Sequence, residues 1–563
     1  MNTNYKFWMA SLGLSLFLSL NTSAQEEEKK SDPGQIHGSF QFDGQYYYAD
    51  SLIGATQARE KTLMNTYANI LYSRNNFSAG IRYEAYLNPL QGFLAGYEGQ
   101  GIANRFASYK NELLDVTIGN FYEQFGNGLA LRTYWEPMLG VDNSIDGIRV
   151  GITPKKGIYI KGIAGKQRLF WGLGAGIVRG IDGEINLNEL LDSLIGDKKT
   201  KVIIGGSFVS KYQDPTNVTY VFPANVGCYG GRLNIIRGSI NFNSEYVFKI
   251  NDPSKDNNYN YRNGRAIISS LNYAKKGLGI SLGYKYVDNM SYRSDRNENL
   301  TNLPINFLPA LTKPHTYNLA ATLYPYATQP TGEVAFQGEI SYKFKPKTKL
   351  GGKYGTMVSG NVSLAYGLDT TQFSGVDSTR QFYSTNRGMV GFGKDAFFHD
   401  FNIEIRKKLN DKVKIVAMYL NMFYDFAVVR GEPGQESLNA QIAILDINYK
   451  INKKHNLRGE FQLLVIDKNN EGELKDQGNW ATVLLEYTVS PHWFLAVLDQ
   501  YNYDNPDDKK ELHYPYFTGG YTKGTNRIAI GYGKQRAGLF CVGGVCRPVP
   551  ASNGFTLSIT STF

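Results

Sequence analysis

Residues 77–88 read Phe77-Ser78-Ala79-Gly80-Ile81-Arg82-Tyr83-Glu84-Ala85-Tyr86-Leu87-Asn88, and their spacing decides the fold class. Phe77, Ala79, Ile81, Tyr83, Ala85 and Leu87 fall on one side of an extended chain. Ser78, Gly80, Arg82, Glu84, Tyr86 and Asn88 fall on the other. A strand sends successive side chains to opposite faces, so this segment is a strand with one oily side and one polar, charged side.

The pattern recurs along the chain. Ile240, Phe242, Tyr246 and Phe248 oppose Asn241, Asn243 and Glu245. Leu278, Ile280, Leu282, Tyr284 and Tyr286 oppose Gly279, Ser281, Gly283 and Lys285. Val334, Phe336, Ile340, Tyr342 and Phe344 oppose Glu333, Gln337, Glu339 and Lys343, and Leu457, Phe461 and Leu463 oppose Arg458, Glu460 and Gln462. Alternation alone also fits a soluble sandwich or β-helix. Three further features select a membrane barrel. Tight connections such as Arg74-Asn75-Asn76, Arg237-Gly238 and Ser490-Pro491-His492 alternate with long polar ones such as Ala49 to Lys61, Asp288 to Pro314 and Asp369 to Asp395, as periplasmic turns alternate with outer loops. Aromatic residues gather at strand ends, as in Tyr46-Tyr47-Tyr48 and Trp493-Phe494, which suits interfacial girdles. Phe555, Leu557, Ile559 and Phe563 share one face, and this ending resembles the C-terminal signal read by the outer-membrane barrel insertion machinery.

The expected fold is therefore all-β: a single large antiparallel transmembrane barrel at residues 36–563. A direct strand count gives about 25. Both ends of the wall should be periplasmic and the number even, so about 24 strands are expected, within about 20 to 26. Strand directions counted from the two ends conflict near 288–332, or in the irregular stretch 119–150. Residues 1–24 read as a signal peptide, with Lys6, an apolar run from Phe7 to Leu20 and small residues Thr22-Ser23-Ala24. Residues 25–35 read as a flexible periplasmic tether. Beyond residue 24 no apolar run reaches the length of about 18 residues that a spanning helix needs.

The polar faces supply candidate lumen-lining residues: Arg82, Glu84, Glu245, Lys285, Glu339, Lys343, Glu404, Arg406, Arg458 and Glu460. Gly119 to Val150 mixes glycine, aromatics and charge without clean alternation. It reads either as a segment folded inward, adding Glu123, Arg132, Glu136 and Asp142 to the lumen, or as a bulged strand pair at the rim. In Asn186 to Gly196, Leu187, Leu190, Leu191, Leu194 and Ile195 follow helical spacing, which predicts a short amphipathic helix in a connection, capping the barrel mouth or docking a partner. Cys541-Val542-Gly543-Gly544-Val545-Cys546 suits a two-residue hairpin that sets Cys541 opposite Cys546, and secretion favours their disulfide. Cys228 is left as a buried or lipid-facing thiol.

Other chemistries find little support. Asp142 to Gly147 begins like a calcium loop, but Thr153 stands where the bidentate Glu is needed. Asp467 to Gly472 has the same defect, so no metal or cofactor is expected. The six histidines assemble no catalytic set, so an enzyme is not expected. The net charge of +10 is dispersed and comes with no basic recognition helix, so nucleic acid is not an expected partner.

Two stretches, GNFYEQFGNGLALRTYWEPMLGVDNSIDGIRV from Gly119 and GLFCVGGVCRPVPASNGFTLSITSTF from Gly538, resemble a family of large Gram-negative outer-membrane proteins of unassigned function. The resemblance implies a barrel in the cell outer membrane and no substrate. The chain departs from siderophore-type receptors, whose N-terminal plug would precede a first strand that here begins near Ile36. Expected partners are outer-membrane lipid, the insertion machinery and other envelope proteins. The expected role is a channel or uptake protein for small polar solutes, the alternative a non-conducting scaffold or secretion-associated component.

Overall fold

Alternating strands become a wall when every one finds two neighbours. The computed structural model describes residues 33–563 except 197, 216–219, 374–380, 435–436, 468–477, 506 and 543–544. The expected signal peptide and most of the tether lie outside the described residues. One antiparallel sheet of 24 strands is formed: β1 (Gln35–Tyr48), β2 (Thr62–Arg74), β3 (Phe77–Leu87), β4 (Gly99–Lys110), β5 (Leu114–Phe121), β6 (Ile145–Lys155), β7 (Ile158–Leu169), β8 (Gly172–Asn186), β9 (Thr200–Tyr212), β10 (Asn225–Arg237), β11 (Ile240–Lys249), β12 (Gly264–Lys275), β13 (Leu278–Asp288), β14 (Gly332–Phe344), β15 (Thr356–Leu368), β16 (Phe392–Lys408), β17 (Val413–Tyr424), β18 (Leu438–Lys450), β19 (His455–Ile466), β20 (Asn479–Val489), β21 (Trp493–Tyr503), β22 (Tyr516–Lys523), β23 (Asn526–Gln535) and β24 (Ser552–Thr562). Each strand pairs with the next, and β24 returns to β1 from Ser39↔Thr562 to Tyr48↔Asn553. Phe563 extends this seam, its backbone N–H and carbonyl both bonded to Gly38 at 3.0 Å. Lipid offers a peptide group no hydrogen bond, so a strand wall in a bilayer must close on itself.

The faces separate as the alternation demands. Ile118 is 61% exposed and Ile181 54%, and Ile403, Phe461, Leu495 and Ile530 are exposed with them. Their chain neighbours Thr117, Asp182, Glu404 and Glu460 are buried inside. A continuous apolar exterior over a polar interior is the inverse of a soluble protein. It makes the chain an outer-membrane barrel. Aromatic pairs mark the rims: Tyr46 and Tyr48 rings lie 5.2 Å apart, Trp493 and Tyr521 4.6 Å apart.

Both the start of β1 and the finish of β24 lie at the end with tight connections, the periplasmic end. The surplus strand of the sequence count has a plain cause. Residues 122–144 and 289–331, within the two stretches where strand direction conflicts, leave the wall between β5 and β6 and between β13 and β14. The expected helix at 186–196 is also corrected. It is two single turns, Leu187–Leu190 and Asp192–Ile195, broken at Leu191, where φ is −110° and ψ 40°. Asn186 caps the first turn, and Asn188 ties the segment to Thr200 and Val202 on β9, so it is pinned to the periplasmic rim.

Candidate functional site

The lumen is the one place where the charged faces of the strands converge, and the two segments that leave the wall fold into it. Residues 122–144 lie against β2, β3 and β5 through β8 and reach β11. Tyr67 on β2 packs edge-on against Trp135 at 5.6 Å, and the backbone N–H of Asn127 donates to Glu245. Phe125, Leu129, Ala130 and Leu131 are wholly buried, in one cluster with Ile163, Val178, Val209, Val226 and Cys228 of the wall. Cys228 is thus an inward thiol, and burial excludes it from solvent chemistry.

Residues 289–331 run across to the far side. Tyr292 donates to the Val226 carbonyl at 2.9 Å. Further along, His315 Nε2 meets Asp400 at 2.7 Å, the Leu319 N–H donates to Gln462 at 3.0 Å, and Gln500 bonds Asn318. The two segments also bind each other: Arg132 N–H to Ile305 carbonyl at 2.8 Å, and Phe307 N–H to Gly128 carbonyl at 3.0 Å.

Glycines on the inner face of β8 make room for both. A Cβ on Gly180 would stand 2.8 Å from the Phe125 ring, and one on Gly176 would stand 2.0 Å from the Ser294 carbonyl oxygen. Gly176→Val is therefore expected to displace residues 289–331 from β8. The overpacking cost is about 1–3 kcal/mol. Faster hydrogen exchange at Ser294 in the variant is the expected reading, and unchanged protection there would refute the close fit.

Much of the charge on the inner face is paired in clusters. Arg82 and Arg168 bracket Glu84 and Asp142. Arg82 Nε donates to Glu84 at 2.7 Å and its Nη2 to Asp142. Arg168 donates to Glu84 at 2.8 Å and to Asp142 at 2.6 Å. Tyr122 donates to Asp142 at 3.0 Å, and the Arg82 guanidinium lies over the Trp135 ring at 4.1 Å. All four charged side chains are at most 5% exposed. Two cations against two anions leave the cluster neutral, which is how charge survives burial. The Asp142 carboxylate is thus engaged by arginine. Burial and the Asp142 charge push the Tyr122 hydroxyl well above its ordinary value, so it stays a donor.

The remaining candidates are spread around the wall. Glu123 meets Arg149 and, at 2.9 Å, Lys161. Lys285 is wholly buried against Glu333 at 2.7 Å and donates to the Pro309 carbonyl. Glu339 faces Lys313 at 3.8 Å, and Arg458 joins Asp446 at 2.9 Å and Glu460. Arg132 stacks on Phe307 at 4.0 Å, while Glu136 pairs with Val141 through its backbone. Glu404 is buried beside Arg406, whose side chain is 60% exposed, and Lys343 is exposed toward the periplasmic end of β14.

Arg168, Arg149, Asp400 and the Asp182–Arg232 pair (2.6 Å) were missed as lumen residues. For Arg168 the cause is a register shift against β8 between Lys166 and Arg168, which turns both Gln167 and Arg168 inward and breaks the alternation that would have marked it.

Above these segments the outer loops enclose a cavity of about 1450 Å³. One wall is the hairpin joining β23 to β24. The expected disulfide is present in it, Cys541 and Cys546 facing each other with Cα atoms 4.1 Å apart. Arg547 anchors the hairpin to the carbonyls of Met138 and Gln91, each at 3.3 Å. A disulfide closing so short a loop contributes about 2 kcal/mol. Reduction is therefore expected to loosen residues 538–542 and 545–549 in hydrogen exchange while the wall stays folded, and global unfolding on reduction would contradict it.

A family model matches residues 5–563, nearly the whole chain. The chain belongs to the Family of unknown function (DUF6029). No curated protein matches this member of the family. Among solved structures, the siderophore receptor PirA from Pseudomonas aeruginosa aligns over 95% of this chain and 81% of its own, at 10% identity and a TM-score of 0.40. The copper transporter OprC aligns over 96% and 82%, at 9% identity and 0.39. The outer membrane transporter YddB from Escherichia coli aligns over 95% and 81%, at 7% identity and 0.38.

Proposed function

We propose that this barrel is an outer-membrane uptake protein for small polar solutes, gated by its own inward loops. The observation that supports this most directly is a charged lumen, wide enough in a barrel of 24 strands to pass solute, occupied by residues 122–144 and 289–331 rather than by wall side chains. A solute enters from the outer cavity and passes when those segments shift. Lipid surrounds the wall. The insertion machinery is proposed to engage the seam strand β24, with Phe563 at its end. A filled lumen also favours a second reading, a non-conducting scaffold that binds other envelope proteins through its loops or periplasmic turns.

Planar-bilayer recording separates the two. The intact chain is expected to conduct little, and a variant with residues 124–141 replaced by a short Gly/Ser linker is expected to show large, steady conductance and to speed solute entry into liposomes. A folded linker variant that stays silent in every salt would sink the uptake reading and leave the scaffold.

A further inference from the structure

Most charges of the lumen are ion-paired, and the outer cavity holds two arginines that are not. Arg430 and Arg536 both line the outer cavity, and among the described residues neither forms an ion pair. They sit against consecutive residues of the long inward segment. Arg430 donates to the Leu323 carbonyl, and Arg536 donates to Thr322 Oγ1 and to the Ala537 carbonyl at 2.9 Å. Both Nε groups are buried and, among the described residues, without a partner. Burial and the Arg430 charge outweigh the help of Tyr324 and Tyr514 and pull the Arg536 guanidinium down to about 10, the direction expected of a cation short of counter-charge. The acids on the cavity lining do not relieve this. Asp256 is paired with Arg293 at 3.3 Å, and Glu432 forms no ion pair among the described residues.

Two further donors line the same cavity. Tyr324 is 2% exposed and Trp480 3%, and among the described residues neither the Tyr324 hydroxyl nor the Trp480 indole N–H has a partner. Their rings belong to an aromatic cluster in the cavity wall. Tyr324 packs on Tyr424 at 5.5 Å and Phe426 at 6.0 Å, and Trp480 lies 5.9 Å from Tyr514. The Arg430 guanidinium stands over Phe426 at 4.9 Å and Arg536 over Trp480 at 5.4 Å. Two uncompensated cations and two idle donors set in an aromatic wall match an acceptor-rich negative group carried on an apolar ring.

We propose that the outer cavity binds a small organic anion, its carboxylate or similar oxyanion held between Arg430 and Arg536 and its ring-sized apolar body against Tyr324 and Trp480. This rests on the uptake reading and narrows its small polar solutes to that class. The arginines recognise charge, the rings recognise shape, and the contacts to Thr322 and Leu323 place the bound anion on the segment that would have to move.

Naphthalene-2-carboxylate is the probe, titrated calorimetrically into the full chain in detergent. Saturable one-to-one binding is expected, with neutral naphthalene-2-methanol at least about tenfold weaker, the usual scale of a lost charge-assisted contact. Arg430→Gln and Arg536→Gln should each weaken the anion by about tenfold and leave the alcohol unchanged. Phenylglyoxal labelling of the unmodified chain provides a second readout in case a variant does not fold. Naphthoate should protect both arginines, and the alcohol should not. Equal affinity for anion and alcohol, or absence of protection, overturns the site. Binding without loop-dependent passage would sink the uptake reading alone, whereas passage with no naphthoate binding would sink only the anion site.

Discussion

Asp142→Ala is expected to destabilise the folded barrel by about 3–5 kcal/mol, the cost of removing one partner from a buried ion pair. Asp142 accepts from Arg82, from Arg168 at 2.6 Å and from Tyr122 at 3.0 Å. With the carboxylate gone, two guanidiniums share the single charge of Glu84 in a region closed to water. The inward segment also loses its hold on β3 and β7, so residues 122–144 should become open to exchange before the wall unfolds. Urea unfolding in micelles, followed by tryptophan fluorescence, measures the first effect and hydrogen exchange the second. The double variant Asp142→Leu with Arg168→Met removes one cation together with one anion and should recover most of the loss, because a buried pair exchanged for apolar residues of similar volume is often neutral. A single variant within about 1 kcal/mol of wild type, well under that range, would mean that water reaches the cluster.

Ile181→Arg should cost about 2–4 kcal/mol if that position faces the bilayer midplane. Ile181 lies in the middle of β8 and is 54% exposed, while Asp182 beside it is 4% exposed and bound to Arg232 and Ser207 inside. In water an arginine at an exposed strand position would be almost neutral. In lipid it must deform the bilayer or drag its head toward the interface. Refolding into vesicles of short-chain and long-chain lipid gives a built-in comparison, the penalty growing as the hydrocarbon thickens. An arginine tolerated equally in both would place β8 outside the membrane.

The wall was legible in the sequence because its logic is local. Phe77 to Leu87 declares its two faces without reference to anything else in the chain, and Arg82 and Glu84 follow from the same alternation. The inward course of the longer segment was not legible, for a physical reason. Residues 289–331 contain Ser294, Asp295, Arg296, Asn297, Asn299 and Asn302, a composition that reads as a solvated loop. A barrel interior is itself polar, so such a loop can be satisfied there as well as in water. Arg296, 2% exposed, and Ser294, wholly buried, give no local sign of it. Only the distant partners Gln213, Asp252 and Asp400 decide the matter. At 119–150 the broken alternation was a true signal, and its two readings could be separated only by the wall that Phe125 and Asp142 meet. The arginines of the outer cavity lie in loops, where no periodicity applies.

The long inward segment has a mechanical consequence as well. Bonded to Val226 on β10 and to Gln462 and Gln500 on β19 and β21, it ties one side of the cylinder to the other. A wide single-layer tube resists flattening only through its own curvature, and a strut across the diameter stiffens its cross-section against lateral squeezing by the surrounding lipid. Cutting the chain once between residues 308 and 316 should therefore let the circular outline turn elliptical while every strand pair survives.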